Sequence, residues 1–96
     1  MPNVDPHYAR EVQQDLLDRG FKHLRVRRRG DLLTIESGPA NDPVRHARLR
    51  RVTIGLWTLE CATHTGQWEP TGLRDQLDPL IEQLTTTLSW VLQPIE

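Results

Sequence analysis

From Leu24 to Trp68 the chain alternates apolar and polar residues in a series of short runs, each with the two-residue period of a half-buried strand. Leu24 and Val26 alternate with Arg25 and Arg27, and Leu33 and Ile35 with Thr34 and Glu36. In a third run, starting near Arg45, Ala47 and Leu49 share one parity against His46, Arg48 and Arg50. Val52 and Ile54 then take the opposite parity, so a bulge is expected near Arg50-Arg51. A fourth run, Leu56 to Ala62, alternates Trp57, Leu59 and Cys61 with Thr58 and Glu60, and Gln67-Trp68-Glu69 reads as a short fifth strand stopped by Pro70. Tight turns are expected at Arg29-Gly30-Asp31, Gly55 and His64-Thr65-Gly66, and residues 37–43 form a loop by composition.

Helical patterns flank these runs. Asp5 caps the first helix, Pro6 suits its first position and Gly20 its stop, while Tyr8, Ala9, Val12 and Leu16 make one apolar stripe with Leu17 beside it. Asp15 and Arg19 are spaced as an i,i+4 ion pair on the outer side. Near the other end Leu73, Leu77, Leu80, Ile81, Leu84 and Leu88 are helically spaced, which offers two starts. Pro79 would break a helix begun at Leu73, so Asp78 is expected to cap this helix with Pro79 at its first position, and Trp90-Val91-Leu92 to fold back on the core. The expected fold is therefore α+β: an N-terminal helix, a five-stranded antiparallel meander and a C-terminal helix, with both helices on one face of the sheet and the other face open.

At 96 residues the chain is expected to make one domain, residues 1–96, with a modest core that association would help to complete. A single cysteine, Cys61, precludes an internal disulfide and fits a reducing compartment. The first residues lack the basic and apolar regions of a secretory signal, and no apolar run approaches the roughly 20 residues that span a bilayer. A cytoplasmic protein without membrane contact is expected.

Charge is distributed unevenly. Residues 1–21 carry a net −2, residues 22–51 +6 and residues 52–96 −5, within a total of −1. Strand parity puts Arg25, Arg27, Arg48 and Arg50 on the open face, where they would form one patch around Thr34 and Glu36. Such a patch is an anion platform for an acidic protein or for nucleic acid. It is equally what a solvated sheet face looks like where arginine is common, and eleven Arg against one Lys suits a GC-rich genome. Sheets that read single-stranded RNA expose aromatic rings for base stacking, and parity assigns Phe21 and Trp57 to the core, which disfavours RNA. Trp68 beside Pro70, and Trp90 near the C-terminus, are the candidate interface aromatics.

Other constellations carry less. Cys61-Ala62-Thr63-His64, with His23 and His46, has part of a zinc pattern but too few cysteines, so no metal or other cofactor is expected. Cys61, His64, Glu60 and Glu69 lack any nucleophile motif, and no catalytic residue is assigned. Arg29-Gly30-Asp31 matches an adhesion tripeptide by chance, its glycine serving a tight turn.

The segment Ala47-Arg48-Leu49-Arg50-Arg51-Val52, then Leu56-Trp57-Thr58-Leu59, then Gln67-Trp68-Glu69-Pro70 and the closing Leu-rich helix resembles a family of small bacterial domains of unknown function. The resemblance implies a bacterial α+β domain and transfers no catalytic residue. The expected function is that of a non-enzymatic interaction or regulatory protein, binding a protein partner or a second copy through the Arg-rich face and the edge aromatics. Nucleic-acid binding through the same patch is the alternative, and a metal- or cysteine-dependent enzyme the remote one.

Overall fold

The computed structural model describes residues 5–63 and 65–92. Helix α1, Pro6–Asp18, starts where Asp5 accepts a hydrogen bond from the backbone N–H of His7 and ends at Arg19. Gly20, at a φ of 95°, donates its N–H to the Leu17 carbonyl, and Phe21 donates to that of Leu16. These are the two bonds of a Schellman stop, and they turn Phe21 back against the core.

Five strands follow in chain order and pair with their sequence neighbours, all antiparallel: β1 Arg25–Arg29, β2 Leu32–Ser37, β3 Val44–Thr53, β4 Leu56–Ala62 and β5 Trp68–Asp75. Helix α2, Leu77–Thr85, and a short 3-10 turn, Ser89–Leu92, complete the order. The fold is α+β, as the residue pattern leads one to expect. Leu33, Ile35, Ala47, Leu49, Trp57 and Leu59 from the sheet are buried with Val12 and Leu16 of α1, Leu80, Ile81 and Leu84 of α2, and Val91 and Leu92. The edge of the Tyr8 ring meets Trp57 at 5.5 Å between centroids. Arg19 ties the two helices together, pairing with Asp15 at 2.7 Å and with Glu82 at 2.8 Å.

Several boundaries and one parity differ from expectation. The second helix begins at Leu77 after Gln76, not at Pro79. Pro79 is its third residue, still within the first turn, whose N–H groups have no intrahelical acceptor. Strand β5 does not stop at Pro70 but runs on to Asp75; a proline on an edge strand removes no inter-strand bond when its nitrogen faces outward. The bulge late in β3 lies at Val52, skipped between the pairs Arg51–Trp57 and Thr53–Leu56. A second bulge, at His46, opposes two residues of β3 to one position of β2, since Ile35 pairs with Ala47 and Glu36 with Arg45. It turns His46 away from the open face and buries it to 2 % exposure.

In that position His46 is fully satisfied. Nδ1 lies 2.9 Å from the Val91 carbonyl, which can only accept, so Nδ1 carries the proton; Nε2, 2.8 Å from Oγ of Ser37, accepts from the hydroxyl. Burial lowers the His46 pKa, against the opposing effect of the Val91 hydrogen bond, and the ring is neutral at physiological pH. His23 lies 2.7 Å from the next carbonyl in the same turn, that of Leu92, through Nε2. Two histidines thus fasten the C-terminal turn, one from β3 and one from the segment that leads into β1.

Candidate functional site

The register fixes which side chains share the open face, because residues directly opposite in an antiparallel pair point the same way. One row across the sheet reads Arg27, Thr34, Arg48, Glu60, Pro70, and the next reads Arg29, Leu32, Arg50, Thr58, Arg74. Arg25, Glu36 and Arg45 begin a third row, and Ala62 and Trp68 face the same side beyond Glu60. Arg25, Arg27, Arg48 and Arg50 are therefore brought together, as the alternation predicts. Arg29, Arg45 and Arg74 join them.

The face is not a bare cationic surface. Glu36, only 2 % exposed, receives Nε of Arg25 at 3.1 Å and has Nε of Arg27 at 3.3 Å, while Arg25 also donates to the Gly38 and Pro39 carbonyls. Glu60 takes Arg48 in a two-point fork, 2.9 Å from Nε and 3.1 Å from Nη2. Arg50 is held more loosely, 3.4 Å from Asp31 in the β1–β2 turn and 3.9 Å from Glu60. All four expected arginines are thus braced by carboxylates, and brought into order by them. Arg29, Arg45 and Arg74 are exposed and form no ion pair among the described residues.

Sequence reasoning placed no aromatic ring on this face, and the structure corrects that. Trp68, half-buried, lies beneath Arg48, whose guanidinium carbon is 4.5 Å from the ring centroid. Its place follows from the pairing of Trp68 with Ala62, two residues on from Glu60, a register that only the structure shows. Trp90, the other interface candidate, is 69 % exposed on the 3-10 turn of the helical layer, away from the arginines. The two tryptophans do not form one surface.

A hollow interrupts the face at β5. Thr58 pairs with Arg74 and Glu60 with Pro70, so the single residue Leu59 is opposed by Thr71, Gly72 and Leu73. The Thr71 hydroxyl donates to the Leu59 carbonyl at 2.8 Å and accepts the Leu73 N–H at 3.1 Å, holding the double bulge in shape. Gly72 there has a φ of 81°, a conformation that favours glycine. The bulge opens a hollow of about 360 Å³ between β4, β5 and Arg50 of β3.

The remaining constellations do not assemble. Glu69 pairs opposite Cys61 whereas Glu60 points to the other side of the sheet, so the two glutamates do not converge. Burial, then the nearby Glu69 carboxylate, push the Cys61 thiol up, which keeps it protonated at neutral pH. His64 lies outside the described residues. Among the described residues no three His, Cys, Asp or Glu side chains are grouped to hold a metal ion, and no helix is long and apolar enough to cross a membrane.

No protein-family model, curated protein or solved structure matches the chain. The functional reading rests on the geometry of the open face.

Proposed function

We propose that the protein is a bacterial, cytoplasmic binding module that docks an acidic protein partner on the open face of its sheet and performs no catalysis itself. One observation carries this reading: seven arginines and three carboxylates share that face, and three of the arginines, at 29, 45 and 74, are left without an ion pair among the described residues. Packing gives no reason for this excess, since all the sheet's fully buried apolar residues point to the helices. The carboxylates of Asp31, Glu36 and Glu60 hold four guanidiniums in place before a partner arrives, which reduces the side-chain entropy lost on binding. Their fixed negative charges divide the face into separate cationic points, which carboxylates on a flexible polypeptide can meet one by one more readily than the closely spaced phosphates of a nucleic acid. Both sheet edges are blunted, β5 by Pro70 and its bulge, β1 by Gln13, which accepts the Val26 N–H and donates to the Leu24 carbonyl. Docking is therefore assigned to the face and not to strand addition.

The test is fluorescence anisotropy with a labelled oligoglutamate peptide and a labelled oligothymidylate, each across a range of salt. Salt-sensitive peptide binding that weakens in Arg29→Ala/Arg74→Ala supports the reading; absence of peptide binding at low salt overturns it. Nucleic-acid binding is the second reading, favoured by the Trp68 ring on the same face. It requires the oligothymidylate to bind with a steep salt slope and to lose affinity in Trp68→Ala. Light scattering on the protein alone separates self-association from a foreign partner.

A further inference from the structure

The hollow made by the β5 bulge lies within the arginine-rich face, and its chemistry differs from that of its surroundings. Leu73 and Pro70 supply apolar lining, Thr58 and Gly72 line it as well, and a side chain at Gly72 would meet nothing within 4 Å of its Cβ, so the hollow is open to solvent there. The rim is cationic on two sides. Arg50 and Arg74 flank Thr58 in one cross-strand row, one loosely paired and the other without an ion pair among the described residues. Glu60, also at the hollow, has both carboxylate oxygens turned to Arg48 and so opposes the rim only in part.

An apolar recess between two arginines is matched by an apolar side chain with a carboxylate next to it. We infer that this hollow is the anchor point of the docking face, taking one aromatic or large aliphatic side chain of an acidic polypeptide segment while Arg50 and Arg74 bind the adjoining carboxylates. The inference rests on the proposed docking of an acidic partner and names the feature such a partner must carry. The volume suits it: about 360 Å³ is ample for a phenylalanine or leucine side chain, and too open for the hollow to be a void left by imperfect packing. Charge alone would give affinity without a preferred position, and the anchor would supply the position.

Two peptides of equal charge decide the matter: a run of glutamates interrupted by one phenylalanine, and the same run with serine in its place. Wild-type protein is expected to bind the phenylalanine peptide about tenfold or more tightly over the serine peptide, the effect of burying most of one aromatic side chain. Filling the hollow with Thr58→Phe is expected to abolish that preference. Arg74→Ala is expected to weaken both peptides. If Thr58→Phe does not fold, side-chain methyl resonances of Thr58 and Leu73 must shift with the phenylalanine peptide and not with the serine peptide. Equal affinity of the wild type for both peptides overturns the anchor and leaves the docking face standing. A preference that survives in folded Thr58→Phe overturns the assignment to this hollow. Binding of neither peptide, with or without binding of oligothymidylate, overturns the docking reading together with the anchor.

Discussion

His46 and Arg48 are two residues apart on β3 and belong to opposite faces of the same sheet. On the helix side, the polar groups complete the packing: His46 is neutral, and both its nitrogens are used, on Ser37 and on Val91. On the open side, Arg48 is also satisfied, by Glu60 and the Trp68 ring, but it belongs to a population of arginines larger than the carboxylates can neutralise. The buried polar groups of one face hold the fold, and the other face keeps a surplus of arginines. The surplus marks the binding surface.

If that contrast is right, stability and binding should separate along the two faces. The largest effect is expected from the buried side of β3: Leu49→Ala, at a site with no exposure, should lose about 2–5 kcal/mol in urea denaturation, enough to unfold much of so small a protein. Arg29→Ala or Arg74→Ala in the same assay should stay within about 0.5 kcal/mol. A comparable loss from either arginine would break the comparison.

Next in size is His46→Ala, which leaves the Ser37 hydroxyl and the Val91 carbonyl without their partner and should destabilise by about 1–3 kcal/mol. The wild-type contribution is pH-dependent in a known direction. The folded pKa lies below the ordinary value of 6.5, so the unfolded chain binds the proton more readily. This stabilisation is complete above about pH 6.5 and is lost as the pH falls from there through the folded value. Denaturation series at neutral and mildly acidic pH should show a larger drop for the wild type than for His46→Ala; parallel drops would show that the ring is not neutral in the fold.

A smaller stability change, with the opposite consequence for binding, is expected from Glu60→Gln. The side chains of Arg48 and Glu60 are 19 % and 17 % exposed, so losing the fork should cost about 1–2 kcal/mol while removing a negative charge from the face. Affinity for oligoglutamate should rise, measured by anisotropy at low salt; a fall would mean that Glu60 contacts the partner directly. A smaller stability effect again, and none on binding, is expected from Arg19→Ala in the helical layer. Its pairs with Asp15 and Glu82 are at the surface, worth about 0.5–1 kcal/mol at most in thermal unfolding, and peptide binding should not change.

The architecture was legible because period-two alternation survives through the middle of β2, β3 and β4: Leu33, Ile35, Ala47, Leu49, Trp57 and Leu59 all face the helices as their parity requires. The four arginines at 25, 27, 48 and 50 follow from the same count, and Arg29 would have followed had it been carried one step further. What the residue pattern concealed lies at bulges. An extra residue at His46 reverses local parity without changing composition, placing a histidine in the core and Arg45 beside Glu36. The double bulge at Thr71–Leu73 lets β5 continue past Pro70, which is how Arg74 reaches the face and how the hollow arises. Carboxylate bracing was hidden for another reason. Asp31 reaches Arg50 and Glu60 reaches Arg48 only across neighbouring strands, contacts set by register and not by spacing along the chain.

The most direct test of the open face as the binding surface is a titration of isotope-labelled protein with oligoglutamate, followed through amide and side-chain resonances. The account predicts that the shifts concentrate at Arg29, Arg45, Arg50, Arg74 and the Trp68 indole, while α1, α2 and Trp90 stay still. Shifts centred on the helices or on Trp90, or none at low salt, would contradict it.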